Sequence, residues 1–175
     1  MISLVHPTHP LVEVLESNLS RQLAWIAAAD ARKNFVFTVA CTMLGVMAAV
    51  GPKPELLATL GAWAWLSGAA ALALLASALL ILFFSSRPVT DGPVSLVYFG
   101  EVAKLKREAF ESQMSSTTEE SLAKDLAAQC HRNAQIATKR FSGIRSALVC
   151  LYAGVIPWIP AVWLLFSAQV AESPK

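Results

Sequence analysis

The feature that most constrains this chain is the absence of Asp, Glu, Lys and Arg from three long windows. The windows run from Asn34 to Val50, from Leu56 to Ser86 and from Ser146 to Ala171. With 55% hydrophobic and 15% charged residues, the 175-residue chain is too apolar for an ordinary soluble domain. Since a helix of about 20 apolar residues crosses the hydrocarbon of a bilayer, we predict an all-α integral membrane protein with three transmembrane helices.

The windows and the charged segments between them divide the chain into seven parts. These are a cytoplasmic amino-terminal helix at 1–33, transmembrane helices at 34–50, 58–84 and 146–168, an external turn at 51–57, a cytoplasmic helical segment at 85–145 and an external tail at 169–175.

The distribution of basic residues predicts the orientation, because short cytoplasmic segments are enriched in Lys and Arg. Of the fourteen Lys and Arg residues, only Lys53 and Lys175 fall in the segments assigned to the outside. We therefore expect a multi-pass protein of the bacterial inner membrane with a cytoplasmic amino terminus. Acidic residues are interleaved with the basic ones and the net charge is only +2, which argues against binding of nucleic acid.

Two long helices are expected to extend below the membrane. No Gly or Pro occurs between Pro10 and Gly45, and Leu11, Leu15 and Leu19 recur at helical spacing. A run from Glu101 to Gln113 is also predicted as a helix, and the last helix begins after a Ser/Thr cluster. The first of these helices and the last, helices one and four of the chain, should therefore continue from their membrane spans into a cytoplasmic helical bundle.

The sequence contains none of the motifs that indicate an enzyme. There is no nucleophile elbow, Walker loop or zinc-protease helix, and the three His and three Cys residues lack metal-site spacing. We therefore predict no catalytic residues, no metal and no cofactor.

Candidate ligand-binding residues fall into three groups. Asp30 and Arg32 lie just below the first span, a set of polar residues follows one side of the last helix, and three aromatic residues have rings able to stack on a base. The polar residues of the last helix are Asp125, Gln129, Arg132, Asn133 and Lys139. The aromatic residues are Trp25, Tyr98 and Phe99. Two other interpretations remain open: Arg32 anchors the chain to lipid phosphates, and the polar line fixes helix register.

Three segments together resemble the membrane effectors of Pycsar antiphage systems. They are Gln22-Leu-Ala-Trp25-Ile26-Ala-Ala-Ala-Asp30, Ser95-Leu-Val-Tyr98-Phe99-Gly100-Glu101-Val-Ala, and Asp125-Leu-Ala-Ala-Gln129 followed by Asn133, Ile136-Ala137 and Lys139. The resemblance extends from about Gln22 into the third span. Family members usually carry a lysine two residues after the aspartate, whereas Arg32 occupies that position here and keeps the charge.

The resemblance implies an effector that binds a cyclic pyrimidine mononucleotide, cUMP or cCMP, made by a partner pyrimidine cyclase during phage infection. The activated effector then impairs the inner membrane and causes abortive infection. We expect it to act in the lipid bilayer as a homo-oligomer. Two alternatives remain: a small membrane scaffold or transporter accessory subunit that recruits a cytoplasmic protein, and a constitutive pore.

Overall fold

The computed structural model describes residues 10–51, 60–87 and 95–172, and within them it contains five α-helices and no strand. The helices are α1 (Pro10–Ala49), α2 (Ala62–Ser85), α3 (Phe99–Val102), α4 (Arg107–Ser116) and α5 (Glu119–Glu172). The all-α prediction is confirmed for these residues. Most of the predicted external turn, the first two residues of the predicted 58–84 span, and both chain ends lie outside the described residues.

The starts of the two long helices have recognisable causes in the sequence. α1 begins at Pro10, a residue that suits the first turn of a helix because its missing N–H has no helical partner there. At the start of α5, the Thr118 Oγ1 accepts a hydrogen bond from the Ser121 N–H at 3.3 Å, and the Ser121 Oγ accepts one from the Thr118 N–H at 3.1 Å. This reciprocal cap satisfies N–H groups that have no partner within the helix.

The predicted helical run from Glu101 to Gln113 is wrong, because the structure divides it into α3 and α4. α3 ends in tight turns, in which the Lys104 N–H bonds to the Glu101 carbonyl and the Leu105 N–H to the Val102 carbonyl. Lys106 then has extended backbone angles, φ −69° and ψ 149°. Ala103–Lys106 contains neither Gly nor Pro, so local sequence does not signal this break.

The chain forms two compact units. The first contains Met1–Ala29 and Pro88–Arg140, and the second contains Asp30–Arg87 and Phe141–Lys175. In the first unit, α1 packs against α5 through a cluster of apolar side chains. The cluster comprises Val12, Leu15, Leu19, Leu122, Ala123 and Leu126. Nearby, the Cys130 Sγ donates to the Leu15 carbonyl at 3.5 Å.

On both α1 and α5, one series of less exposed side chains recurs at alternating steps of three and four residues. On α1 they are Val12, Leu15, Leu19, Gln22, Ile26, Ala29, Lys33, Val36, Ala40, Met43 and Met47. On α5 they are Ala123, Leu126, Cys130, Asn133, Ala137, Arg140, Ile144, Ala147, Leu151, Gly154, Trp158, Ala161 and Leu165. This spacing is typical of helices that pack side by side with interlocking side chains.

The second unit has an apolar exterior. Its exposed large side chains include Phe35, Phe37, Trp63, Leu66, Leu80, Phe83, Val149, Tyr152, Ile156 and Trp163. Exposed hydroxyls satisfy themselves within their own helices: Thr38, Thr42 and Ser77 each donate to the carbonyl four residues earlier at 2.7–2.9 Å. Such internal pairing is what a surface surrounded by hydrocarbon requires, since no water is present to replace it.

Two helices are long and apolar enough to cross a membrane, Ala62–Ser85 and the apolar part of α5 within Glu119–Ala171. Only 22% of the apolar window of each is buried in the structure, so neither resembles the core helix of a soluble protein. α1 is not among these candidates, since its uncharged part from Asn34 to Ala49 is shorter than the usual span. A membrane protein with two candidate spans is supported, and the third span stays a prediction.

Polar contacts join α5 to the end of α1 in the second unit. The Trp158 Nε1 donates to the Met43 carbonyl at 3.0 Å, and the Gln169 Nε2 donates to the Gly51 carbonyl at 2.9 Å. The later residue of α5 bonds to the later residue of the α1 side, so the two helices run in the same direction in this unit. α5 stays helical on both sides of Pro157 and Pro160.

Packing of α2 against α5 predicts opposite results for two glycines of α5. A Cβ at Gly143 would overlap the Ser85 side chain, whereas one at Gly154 would meet the Leu74 Cβ at 3.4 Å, an ordinary contact. We expect Gly143→Ala to reduce the free energy of unfolding by about 1–3 kcal/mol through overpacking. Gly154→Ala should leave it unchanged or raise it by up to about 1 kcal/mol through helix propensity.

Thermal denaturation of the detergent-purified variants measures the difference. A Ser85→Gly/Gly143→Ala double variant should recover most of the lost stability, because it removes the atoms that clash. Equal midpoints for Gly143→Ala and Gly154→Ala would contradict the close approach of α2 and α5.

Candidate functional site

The first unit contains a cleft of about 320 Å³, near the lower limit of volumes typical of small-molecule sites. The segment before α3, the α3–α4 connection, the end of α4 and the first turns of α5 form its walls. Its lining residues are Ser95, Leu96, Glu101, Leu105, Gln113, Thr117, Ser121, Leu122 and Asp125.

Ser95 and Asp125 hold the chain that enters the cleft wall. The buried Ser95 Oγ accepts hydrogen bonds from the Val97 N–H at 3.0 Å and the Tyr98 N–H at 2.9 Å. The Leu96 N–H donates to the Asp125 Oδ2 at 3.0 Å. A hydrogen bond to a carboxylate is stronger than one between neutral groups. Asp125 therefore fixes residues 95–98 on α5.

The cleft is acidic. Glu101 and Asp125 line it, and no Lys or Arg is among its described lining residues. Lys104 forms an ion pair with Glu101 at 2.6 Å, and the Lys104 side chain is 69% exposed. Since two carboxylates disfavour the approach of an anion, the cleft suits a neutral or cationic group better than a phosphate. Of the ten predicted ligand-binding residues, only Asp125 lines it.

The three predicted stacking residues all belong to the first unit. The rings of Tyr98 and Phe99 are neighbours, with their centroids 4.9 Å apart. Phe99 is 75% exposed and Trp25 is 57% exposed. Exposed aromatic rings of this kind are open to stacking by a planar ligand.

Two buried glutamine amides in the first unit lack hydrogen-bond partners among the described residues. They are the Gln129 Nε2, a donor, and the Gln22 Oε1, an acceptor. Gln129 is only 5% exposed. Leaving a buried polar group unpaired costs about 1–3 kcal/mol, so an acceptor near Gln129 and a donor near Gln22 would each stabilise the first unit.

The other predicted residues are divided between the units. Arg132 and Asn133 are half-buried on α5 in the first unit, and Lys139 is exposed there. Asp30 and Arg32 belong to the second unit. The Asp30 carboxylate pairs with the Lys33 ammonium at 3.3 Å, and the Arg32 guanidinium lies 5.7 Å above the Phe141 ring.

Gln22 was not among the predicted ligand-binding residues, although its helical spacing with Leu15, Leu19 and Ile26 was a signal for it. The Cys130 thiol is also buried in this region, and burial raises its pKa above the ordinary value. Since the thiolate is the nucleophilic form, burial lowers the nucleophilicity of Cys130.

Comparison with known proteins identifies one family. A family model described as the Pycsar effector protein domain matches residues 14–167. The match begins in α1 and ends in α5, so it includes parts of both units. No curated protein and no solved structure matches the chain significantly. The family model confirms the resemblance indicated by the three sequence segments.

Loss of the Asp125 carboxylate should release residues 95–98. We expect Asp125→Ala to cost about 1.5–3 kcal/mol, the usual contribution of a hydrogen bond to a charged group, and to accelerate amide hydrogen exchange at Leu96. Glu120→Ala is the control, because its carboxylate forms an exposed ion pair with Lys124. Unchanged exchange at Leu96 would show that Asp125 does not hold this segment.

Replacing the unpaired amide of Gln129 should stabilise the protein. Gln129→Leu retains most of the side-chain volume and removes the buried donor, so we expect the free energy of unfolding to rise by about 1–3 kcal/mol. Gln135→Leu, at an exposed position bonded to His131, should leave it nearly unchanged. A lower thermal midpoint for Gln129→Leu would mean that its amide is paired in solution.

Proposed function

The chain belongs to the Pycsar effector protein family, and we propose that it is an antiphage effector switched on by cUMP or cCMP from a partner pyrimidine cyclase. The family acts in antiviral defence and cyclic nucleotide signalling. In our proposal, activation impairs the integrity of the bacterial inner membrane. The infected cell then dies before the phage matures, and the effector itself catalyses no reaction.

The observation that carries this proposal is the extent of the family match. Residues 14–167 include parts of both units, one with polar residues around α1 and α5 and one with an apolar exterior. The apolar exterior supports action in a membrane. The distribution of Lys and Arg supports a cytoplasmic amino terminus and first unit.

We place the nucleotide on the first unit, outside the acidic cleft. The phosphate needs cationic donors, and Arg132 and Lys139 provide them on α5. Exposed Trp25 and Phe99 provide rings for the pyrimidine base, and Asn133 provides a hydrogen-bonding amide. Among the remaining candidates, Asp125 has a structural part in this proposal, because it binds the Leu96 N–H.

Gln22 and Gln129 provide a physical basis for switching. Their unpaired atoms mean that the α1–α5 contact in the first unit gains free energy from any rearrangement that pairs them. A ligand shifts such an equilibrium by its difference in affinity for the two arrangements. We propose that the nucleotide binds the rearranged contact more tightly than the resting one.

The change reaches the membrane through α1 and α5. Each helix continues without a break from residues of the first unit into residues of the second. A rotation or shift of either helix therefore alters its position in the second unit. Assembly of several activated copies, expected from the sequence, would enlarge the effect on the bilayer.

One observation favours a second candidate function. The cleft lined by Glu101 and Asp125 suits a basic peptide segment, as a membrane scaffold or transporter accessory subunit that recruits a cytoplasmic protein would require. This alternative predicts a stoichiometric protein partner and no nucleotide binding.

The first test is the thermal stability of the detergent-purified protein with cUMP, cCMP, cAMP and cGMP. A ligand that binds only the folded state raises the midpoint by mass action, with about 2.7 kcal/mol at a hundredfold excess over the dissociation constant. We expect one pyrimidine nucleotide to raise the midpoint. Arg132→Gln and Lys139→Gln should abolish the increase, whereas Lys124→Gln on the same helix should retain it.

Dye uptake by infected cells tests the consequence for the membrane. Cells that express the effector with an active cyclase should become permeable during infection, and cells with an inactive cyclase should not. Permeability without any cyclase would indicate a constitutive pore. No thermal shift with any nucleotide, together with a captured protein partner, would favour the scaffold.

A further inference from the structure

One end of the second unit carries four cationic side chains. They are Arg32 and Lys33 on α1, Arg87 after α2, and Arg145 on α5. We call these four residues the basic collar. Asp30 is the carboxylate that faces them among the described side chains of this unit, and it pairs with Lys33. The collar therefore has a clear excess of positive charge.

Contacts within the second unit place the collar residues at the same end. The Arg32 guanidinium lies above the Phe141 ring, four residues before Arg145. The side chain of Ser85, two residues before Arg87, directly approaches Gly143. The opposite end of this unit is marked by the hydrogen bond from Gln169 to the Gly51 carbonyl.

Aromatic rings orient two of the arginines. The Arg87 guanidinium lies 4.6 Å from the centroid of the Phe84 ring and 5.6 Å from that of Phe83, and Arg32 lies 5.7 Å from that of Phe141. Stacking uses the face of a guanidinium and leaves its N–H groups at the edge available. Among the described residues, Arg32, Arg87 and Arg145 form no ion pair with a carboxylate.

We propose that the basic collar binds the phosphate groups of anionic glycerophospholipids. The planar guanidinium matches two phosphate oxygens at once. Exposed apolar side chains begin immediately beside the collar, at Phe35 on α1 and Val149 on α5. A lipid contacts both surfaces, with its phosphate on the arginines and its acyl chains on the apolar side chains, whereas free phosphate contacts only the first.

The proposal is independent of nucleotide sensing, so its test needs no cyclic nucleotide. The full-length protein is equilibrated in detergent with equal amounts of phosphatidylglycerol and phosphatidylcholine, and native mass spectrometry measures the ratio of the two lipids retained. The test variant is Arg32→Gln/Arg87→Gln/Arg145→Gln. The matched control is Arg21→Gln/Arg107→Gln/Lys124→Gln, which removes the same charge from the first unit.

We expect the wild type and the control to retain phosphatidylglycerol preferentially and the collar variant to lose that preference. A basic residue near an anionic surface contributes about 1 kcal/mol, so each removed cation should lower the ratio about fivefold. Replacement of the same three arginines by lysine should keep part of the preference. This charge-preserving variant also shows whether loss of the preference follows from charge or from misfolding.

Three outcomes would overturn the proposal. If the collar variant and the control lose the preference for phosphatidylglycerol equally, the preference depends on net charge and not on a site. If both variants keep the preference for phosphatidylglycerol equally, other residues select the lipid. Displacement of phosphatidylglycerol by millimolar inorganic phosphate would show that the collar is a site for a soluble anion.

Discussion

The contact between α1 and α5 is the interaction on which both units depend, because each unit contains a section of both helices. Its buried side chains repeat every three and four residues on both helices. This spacing keeps one side of each helix against its partner over many turns. Without that contact, each unit would lose the packing between its sections of α1 and α5.

The chemistry of the repeat differs between the units. In the second unit it consists mainly of Val, Ala, Met, Ile and Leu, with Gly154 buried against α2. Such packing is close and has little tolerance for displacement. In the first unit the repeat includes Gln22, and the unpaired Gln129 lies beside it. The first unit is therefore where a second arrangement of the two helices has the most to gain.

The sequence predicted those features that depend on composition and helical spacing. Uncharged windows predicted the apolar part of α2 and α5, and the absence of Gly and Pro predicted the uninterrupted α1. The break at Ala103–Lys106 was not predictable, since none of its residues disfavours a helix. Nor did the residues alone show that Asp125 binds the Leu96 N–H, because that bond joins positions distant in sequence.

Our two proposals assign different anions to different basic residues, a lipid phosphate to the basic collar and a nucleotide phosphate to Arg132 and Lys139. An arginine that binds a lipid phosphate has its N–H groups occupied and cannot serve a nucleotide phosphate at the same time. Arg32 lies in the second unit over the Phe141 ring, and in our proposal it binds a lipid phosphate. The acidic cleft repels an anion from the α3–α4 side. In our proposal, nucleotide recognition in the first unit therefore depends on Arg132 and Lys139, which lie on α5, one of the two helices of the α1–α5 contact.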